Sequence, residues 1–308
     1  MKTKDLWTVG LAVLLAALIG TNCQRTPADR QQAAPKARPQ VQSAPPAAPQ
    51  RHVHPWTPEE KRAVDETIKG LERLAEHSAQ AKHSFDFLRQ NSVPACLDDS
   101  TVAVYPVDTT QVLGPTGFYL APFPSGFSVG AGGTTMAAGY LPRLRTLLVT
   151  VTDLSTLVRG LLMAHELKHA EDNLVNGYTL GQRGSEDEVT AEMSSYGSQH
   201  VVLDEYTNGG WSRIVAESCQ ERAKYKADRQ IPPHHFTFAS VPGDSARIVN
   251  LLPGTTVKDL GPLTVILTMD ANYALVDQFA QEEQVRFQGK RTFVRRYLDL
   301  LINGSTAH

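Results

Sequence analysis

The sequence predicts an α+β fold, with a small sheet set among helices in the first half and a largely helical C-terminal part. Three observations carry that prediction. The strand candidates fall in the stretch between about residue 101 and residue 152. Apolar residues recur at helical spacing on both sides of it. Beyond residue 186 the helical pattern dominates, and no internal repeat is present.

The elements follow in order. "TPEEKRAVDE" opens the first helix: Thr57 can cap it, Pro58 suits its first turn and Glu60 completes a capping box. Val64, Ile68, Leu71, Ala75 and Ser78 recur at helical spacing, with Phe85 and Leu88 further on, so one long helix is expected to about residue 91. His77 and His83 lie on it as solvated side chains. "TVAVYPV", residues 101–107, reads as a short strand. "GPTGFYLAPFPSGFSVGAGG" is dense in Gly, Pro and aromatics and reads as turns and short strands. "LRTLLVTVT", residues 144–152, is the strongest strand signal and leads directly into a helix that Asp153 or Ser155 can cap. On that helix Leu157, Leu161, Ala164 and Lys168 recur, with Leu154, Val158 and Leu162 beside them. "NGYTLGQRGSED" is a loop. A helix follows over about 186–205 and another over Trp211 to Arg229. "IPPHHFTF" and "LLPGTTVKDLGPL" read as loops. Asp270 is expected to cap a last helical region running to about Ile302, broken near Gly289.

The first 55 residues are of a different kind. Lys2 and Lys4 precede an apolar run from Leu6 to Ile19 that is short for a membrane span. Small and polar residues follow, then Cys23. Residues 1–23 resemble a bacterial lipoprotein signal, although Gly20 and Asn22 depart from the usual lipobox. The resemblance implies a lipidated Cys23, a membrane anchor and, with Gln24 after the cysteine, the outer membrane facing periplasm or cell surface. Residues 24–55 carry seven prolines and almost no large apolar side chains, a composition that cannot bury enough surface to fold. They read as a tether reaching up to about 100 Å if polyproline-like. Residues 56–305 are then the folded domain. If Cys23 carries lipid, Cys96 and Cys219 remain as an even pair in an oxidising compartment, and a disulfide between them is expected. A formal net charge of -2 and no basic stripe argue against a nucleic-acid partner.

The chemistry concentrates in "MAHELKHAED", residues 163–172. Residues four apart share a helix face, so His165 and His169 can offer two imidazoles to one ion. Glu166 sits one step round, placed to take a proton from a water on that ion. A catalytic zinc takes three protein ligands and keeps a position for water. HExxH on a helix after a strand therefore points to zinc-dependent hydrolysis, with Glu166 as general base.

The third ligand defines the subclass. Asp172 and Val175 stand where the metzincin pattern requires Gly and His, so that class is excluded. "GSEDEVTAEMSSY", residues 184–196, supplies acids on the next helix, and here the chain resembles the gluzincins, the thermolysin-like and related zinc peptidases. Their third ligand is a glutamate on a downstream helix, often followed by another acid four positions later. The resemblance covers about residues 144–205. It implies a zincin-like fold, with Glu188 as ligand and Glu192 as acceptor for a histidine ring N–H. Ser185 and Glu188 also spell a capping box, which would turn Glu188 back onto the backbone and leave Glu192 as the ligand. Glu186 and Asp172 are further alternatives. Both favoured glutamates border an apolar stripe of Val189, Met193, Tyr196 and Leu203. Family members add a Tyr or His that stabilises the oxyanion; Tyr178, Tyr196, His200, His234 and His235 are available, and no spacing selects one. The Gly-rich run over 128–140 holds an edge strand or flap over the substrate, or a plain hairpin loop.

The expectation is an exported, membrane-tethered zinc metallopeptidase acting on a peptide or protein substrate. Two alternatives stay open. One is a non-catalytic envelope lipoprotein with a structural or absent metal. The other is a zinc amidase acting on cell-wall bonds.

Overall fold

The computed structural model describes residues 55–97, 104–106, 113–123, 128–129, 134–135, 138–151, 153–181, 185–228 and 243–282. The signal with Cys23, almost all of the tether, His234, His235 and the expected helical stretch from residue 283 to Ile302 lie outside the described residues.

Helix α1, Pro58–Ala75, opens on the expected capping box: Thr57 Oγ1 accepts the Glu60 N–H at 3.2 Å, and Glu60 Oε2 accepts the Thr57 N–H at 2.8 Å. The expected single helix is broken. Ser78 is extended and its Oγ caps α2, Ala79–Asn91, by accepting the Ala81 N–H at 3.0 Å. The same hydroxyl donates to Glu205 Oε2 at 2.5 Å, so a residue that looks like part of the helical stripe is a start signal anchored from elsewhere. His77 and His83 are exposed, as expected.

Five strands form a mixed sheet in the order β2-β1-β3-β7-β6. They are β1 (Ser92–Leu97), β2 (Val104–Pro106), β3 (Phe118–Phe123), β6 (Ala138–Leu141) and β7 (Thr146–Thr150). β1 pairs with β3 and β3 with β7 in parallel, while β6 runs antiparallel to β7 on the edge, with Tyr140 opposite Leu147. β4 (Ser128–Val129) and β5 (Thr134–Thr135) make a separate antiparallel ladder, so the Gly-rich run contains both a small hairpin and an edge strand. β1 carries no strong alternation in sequence, so periodicity does not reveal it.

The remaining elements are helices: α3 (Thr156–Leu174), α4 (Glu186–Tyr206), α5 (Gly210–Asp228), α6 (Asp244–Leu251) and α7 (Val257–Glu282). α3 is buried on most of its circumference, with Val158, Leu161, Met163, Ala164 and Ala170 all at 0% exposure. Burying a leucine such as Leu161 contributes roughly 1.5–3 kcal/mol, which is what holds α3 in the interior. On one side it meets α1 through glycines. A Cβ at Gly160 would lie 2.2 Å from the Gly70 carbonyl carbon, so the two backbones touch where only glycine fits. One hydrophobic cluster runs from Val64 and Leu71 through Phe118, Leu147 and Leu161 to Leu203, Trp211, Ile248 and Leu263, joining the sheet and the C-terminal helices in a single core.

Two expectations are corrected here. Asp270 is not a cap. It lies inside α7 at 6% exposure and accepts the Trp211 indole N–H at 2.7 Å. α7 starts earlier, within the expected loop, because Thr256 and Asp259 form a reciprocal cap: Asp259 Oδ2 accepts the Thr256 N–H at 2.8 Å and Thr256 Oγ1 accepts the Asp259 N–H at 3.3 Å. The Cys96–Cys219 disulfide is also absent: both thiols are free. Cys96 is buried in β1, and Cys219 on α5 donates its S–H to the Ala271 carbonyl on α7 at 3.2 Å.

Candidate metal centre

Ser155 caps α3, and the helix carries the HExxH residues into the core about three to four turns later, where α4 crosses them. His165 and His169 are 7% and 8% exposed. Their Nε2 atoms face each other at 3.1 Å. Glu192, two turns into α4, brings one carboxylate oxygen to 3.7 Å from His165 Nε2 and the other to 3.6 Å from His169 Nε2. Donors held 2.0–2.1 Å from a tetrahedral ion stand about 3.3 Å apart. The two imidazole nitrogens stand close to that spacing, and one donor atom from each of the three residues lies within 4.8 Å of the others. His165, His169 and Glu192 thus form a buried cluster that can hold a metal ion, and no other such group occurs among the described residues.

The electrostatics suit a cation. Burial and the neighbouring His169 lower the His165 pKa to about 4. Burial also opposes charge on His169, but the Glu192 carboxylate overrides it and raises that pKa to about 9. Glu192 is held below the ordinary carboxylate range by His169, against its own burial. The three side chains together thus favour one positive charge at their centre.

Glu188 does not join them. It is 8% exposed, one turn before Glu192, and its Oε2 accepts the Gly181 N–H at 2.7 Å. Half of the suspected capping box is present: Ser185 Oγ accepts the Glu188 N–H at 3.1 Å. The carboxylate goes instead to the loop before the helix, where Asp187 likewise accepts the Thr179 N–H at 2.8 Å. Backbone N–H groups of that loop thus occupy the acids of the first turn. Asp172 is also engaged elsewhere, accepting from Lys168 Nζ and Asn176 Nδ2, each at 2.8 Å. The Glu186 side chain lies outside the described residues.

Glu166 is 8% exposed, and burial with the nearby Glu192 charge raises its pKa to about 7. Its carboxylate accepts the backbone N–H of Tyr140 on edge strand β6. The Tyr140 hydroxyl donates to Asn173 Oδ1 at 2.9 Å, so β6 is tied to α3 at both ends of one residue.

The oxyanion candidates separate clearly. Tyr196 packs edge-on against His165, with ring centroids 4.7 Å apart, and burial keeps its phenol protonated well above the ordinary range. Tyr178 lies in the loop, where its carbonyl accepts from Asn173. His200 faces the other way: Nδ1 meets Asp270 Oδ2 at 3.2 Å and Nε2 meets Ser212 Oγ at 3.3 Å. Among the described residues, that Ser–His–Asp line has no oxyanion hole. The Trp211 N–H goes to Thr207 Oγ1 and the Ser212 N–H to Asp204 Oδ1, so the first turn of α5 has spent its donors. It ties α4, α5 and α7 together.

Sequence reasoning missed Gln199, whose Oε1 lies 3.0 Å from His165 Nδ1. The available signal was its position seven residues after Glu192, on the same helix face. Comparison of the chain with family models, with curated proteins and with solved structures finds no match.

Proposed function

We propose that this chain is a zinc-dependent hydrolase of gluzincin type that cleaves a peptide bond. The observation that carries the reading is the convergence of His165 Nε2 and His169 Nε2, 3.1 Å apart, on a Glu192 carboxylate that sets one oxygen 3.7 Å from the first and the other 3.6 Å from the second. Two imidazoles and one carboxylate are the donor set of catalytic zinc sites of this type, and three protein donors leave a fourth position for water. Glu192 takes the role of third ligand, and Glu188 holds the loop.

When bound, zinc brings the pKa of a water toward ~7 and polarises a carbonyl. The remaining work belongs to the chain. Glu166, held by the Tyr140 N–H, accepts the proton of the attacking water and delivers it to the leaving amine. Tyr196, protonated and beside His165, is the favoured donor to the developing oxyanion. The reading extends to residues outside those described. Residues 1–23 act as a lipoprotein signal, Cys23 carries the anchor, and residues 24–55 tether the domain to the outer membrane.

The test is zinc content by plasma mass spectrometry on the purified full chain. Wild type and Glu188→Ala should carry near-stoichiometric zinc, while His169→Ala and Glu192→Ala should lose it. Loss in Glu188→Ala with retention in Glu192→Ala would reverse the ligand assignment. A wild type that takes up no zinc even when it is supplied would leave a partner-binding envelope lipoprotein as the better reading.

A further inference from the structure

Gln199 is 1% exposed and makes two hydrogen bonds into α3. Its Nε2 donates to the Leu161 carbonyl at 3.3 Å, and its Oε1 lies 3.0 Å from His165 Nδ1. The logic of the pair has one solution. A backbone carbonyl only accepts, so the amide NH2 faces Leu161 and the amide oxygen faces His165. That oxygen also only accepts, so His165 Nδ1 must carry the hydrogen. In a neutral imidazole the other nitrogen then holds the lone pair. That nitrogen is Nε2, the atom directed at His169 and Glu192. Leu161 is one turn before His165, so Gln199 grips the same turn of the helix whose side chain it orients.

We infer that Gln199 is the positioning residue of the metal centre, presetting His165 as the Nδ1–H tautomer with Nε2 free to coordinate. This rests on the proposal that His165, His169 and Glu192 hold zinc. The acceptor is neutral, where a carboxylate would add a second buried negative charge and make the imidazole more basic. Glu192 therefore remains the single anionic donor, and the ion keeps more of its power to acidify water.

Two readouts test this. Imidazole 15N correlation spectra of the metal-free full chain should report His165 as the Nδ1–H tautomer, and Gln199→Leu should lose that preference. Competition with a chromogenic chelator should find zinc bound about 10–100-fold more weakly by Gln199→Leu, the usual effect of removing such a partner. An affinity within twofold of wild type, or a retained Nδ1–H tautomer in the variant, would overturn the inference. If Gln199→Leu does not fold, Gln199→Glu carries the test: it keeps an acceptor and should bind zinc at least as tightly as wild type, and weaker binding overturns the role. A wild type with the Nδ1–H tautomer but no zinc affinity would refute the metal reading instead, so the two failures are distinguishable.

Discussion

Helix α3 meets its two main neighbours in opposite ways. Against α1 it presents Gly160 to Gly70, and backbone touches backbone with no side chain between. Against α4 it presents His165 and His169 to Glu192 and Gln199, polar side chains whose atoms lie 3.0–3.7 Å apart. The glycine contact has no freedom and no chemistry. The polar face holds the chemistry, and its separations are useful only if the helix axis is fixed to a fraction of an ångström. The contrast teaches that the glycine face sets the position which the polar face exploits.

The strongest challenge to that division is Glu166→Gln. The amide oxygen can still accept the Tyr140 N–H, so fold and zinc should both survive. Hydrolysis of a peptide library should fall by about 10²–10⁴-fold, the usual worth of a positioned general base. Undiminished turnover would remove Glu166 from the mechanism. Gly160→Ala should act through the other face. A β-carbon 2.2 Å from a backbone carbon cannot be accommodated by a rotamer change, so α1 and α3 must part. We expect about 3 kcal/mol of destabilisation, a fall in Tm of roughly 6–12 °C, and weaker zinc binding as well. An unaltered zinc affinity in a destabilised variant would separate the two faces. Thr57→Ala gives the small reference effect: loss of the α1 cap should cost about 1 kcal/mol by denaturant titration and leave zinc binding unchanged.

Local signals in the sequence proved readable where one short segment decides the outcome. Thr57 and Glu60 cap α1 as their spacing implies, Ser155 starts α3, and α4 spans nearly the expected residues. The pairing of His165 with His169 is likewise a property of a single helix. What escaped depends on distant partners. Ser78 breaks a periodic stripe because it has Glu205 to bond, and Asp270 joins a helix interior because Trp211 and His200 satisfy it. Glu188 and Glu192 share one face of α4, so spacing alone could not choose between them. The choice falls to the N–H of Gly181, in a loop whose path no periodicity records. The free cysteines make the same point, since an even count says nothing about whether β1 and α5 bring their thiols together.

The Asp259 carboxylate has a consequence for how the chain is made. One oxygen accepts the Ser155 N–H at 2.8 Å, at the start of the motif helix, and the other caps α7. Lys258 pairs with Asp153 beside it. The start of the motif helix is therefore secured by residues 104 positions later in the chain. A nascent chain that has emerged only to residue 228 already contains His165, Glu166, His169, Glu192 and Gln199, yet lacks this clasp. Closing so long a loop is a late and slow event in folding. The donors can be assembled in order of synthesis, but the start of the helix that carries two of them is clasped only when α7 docks.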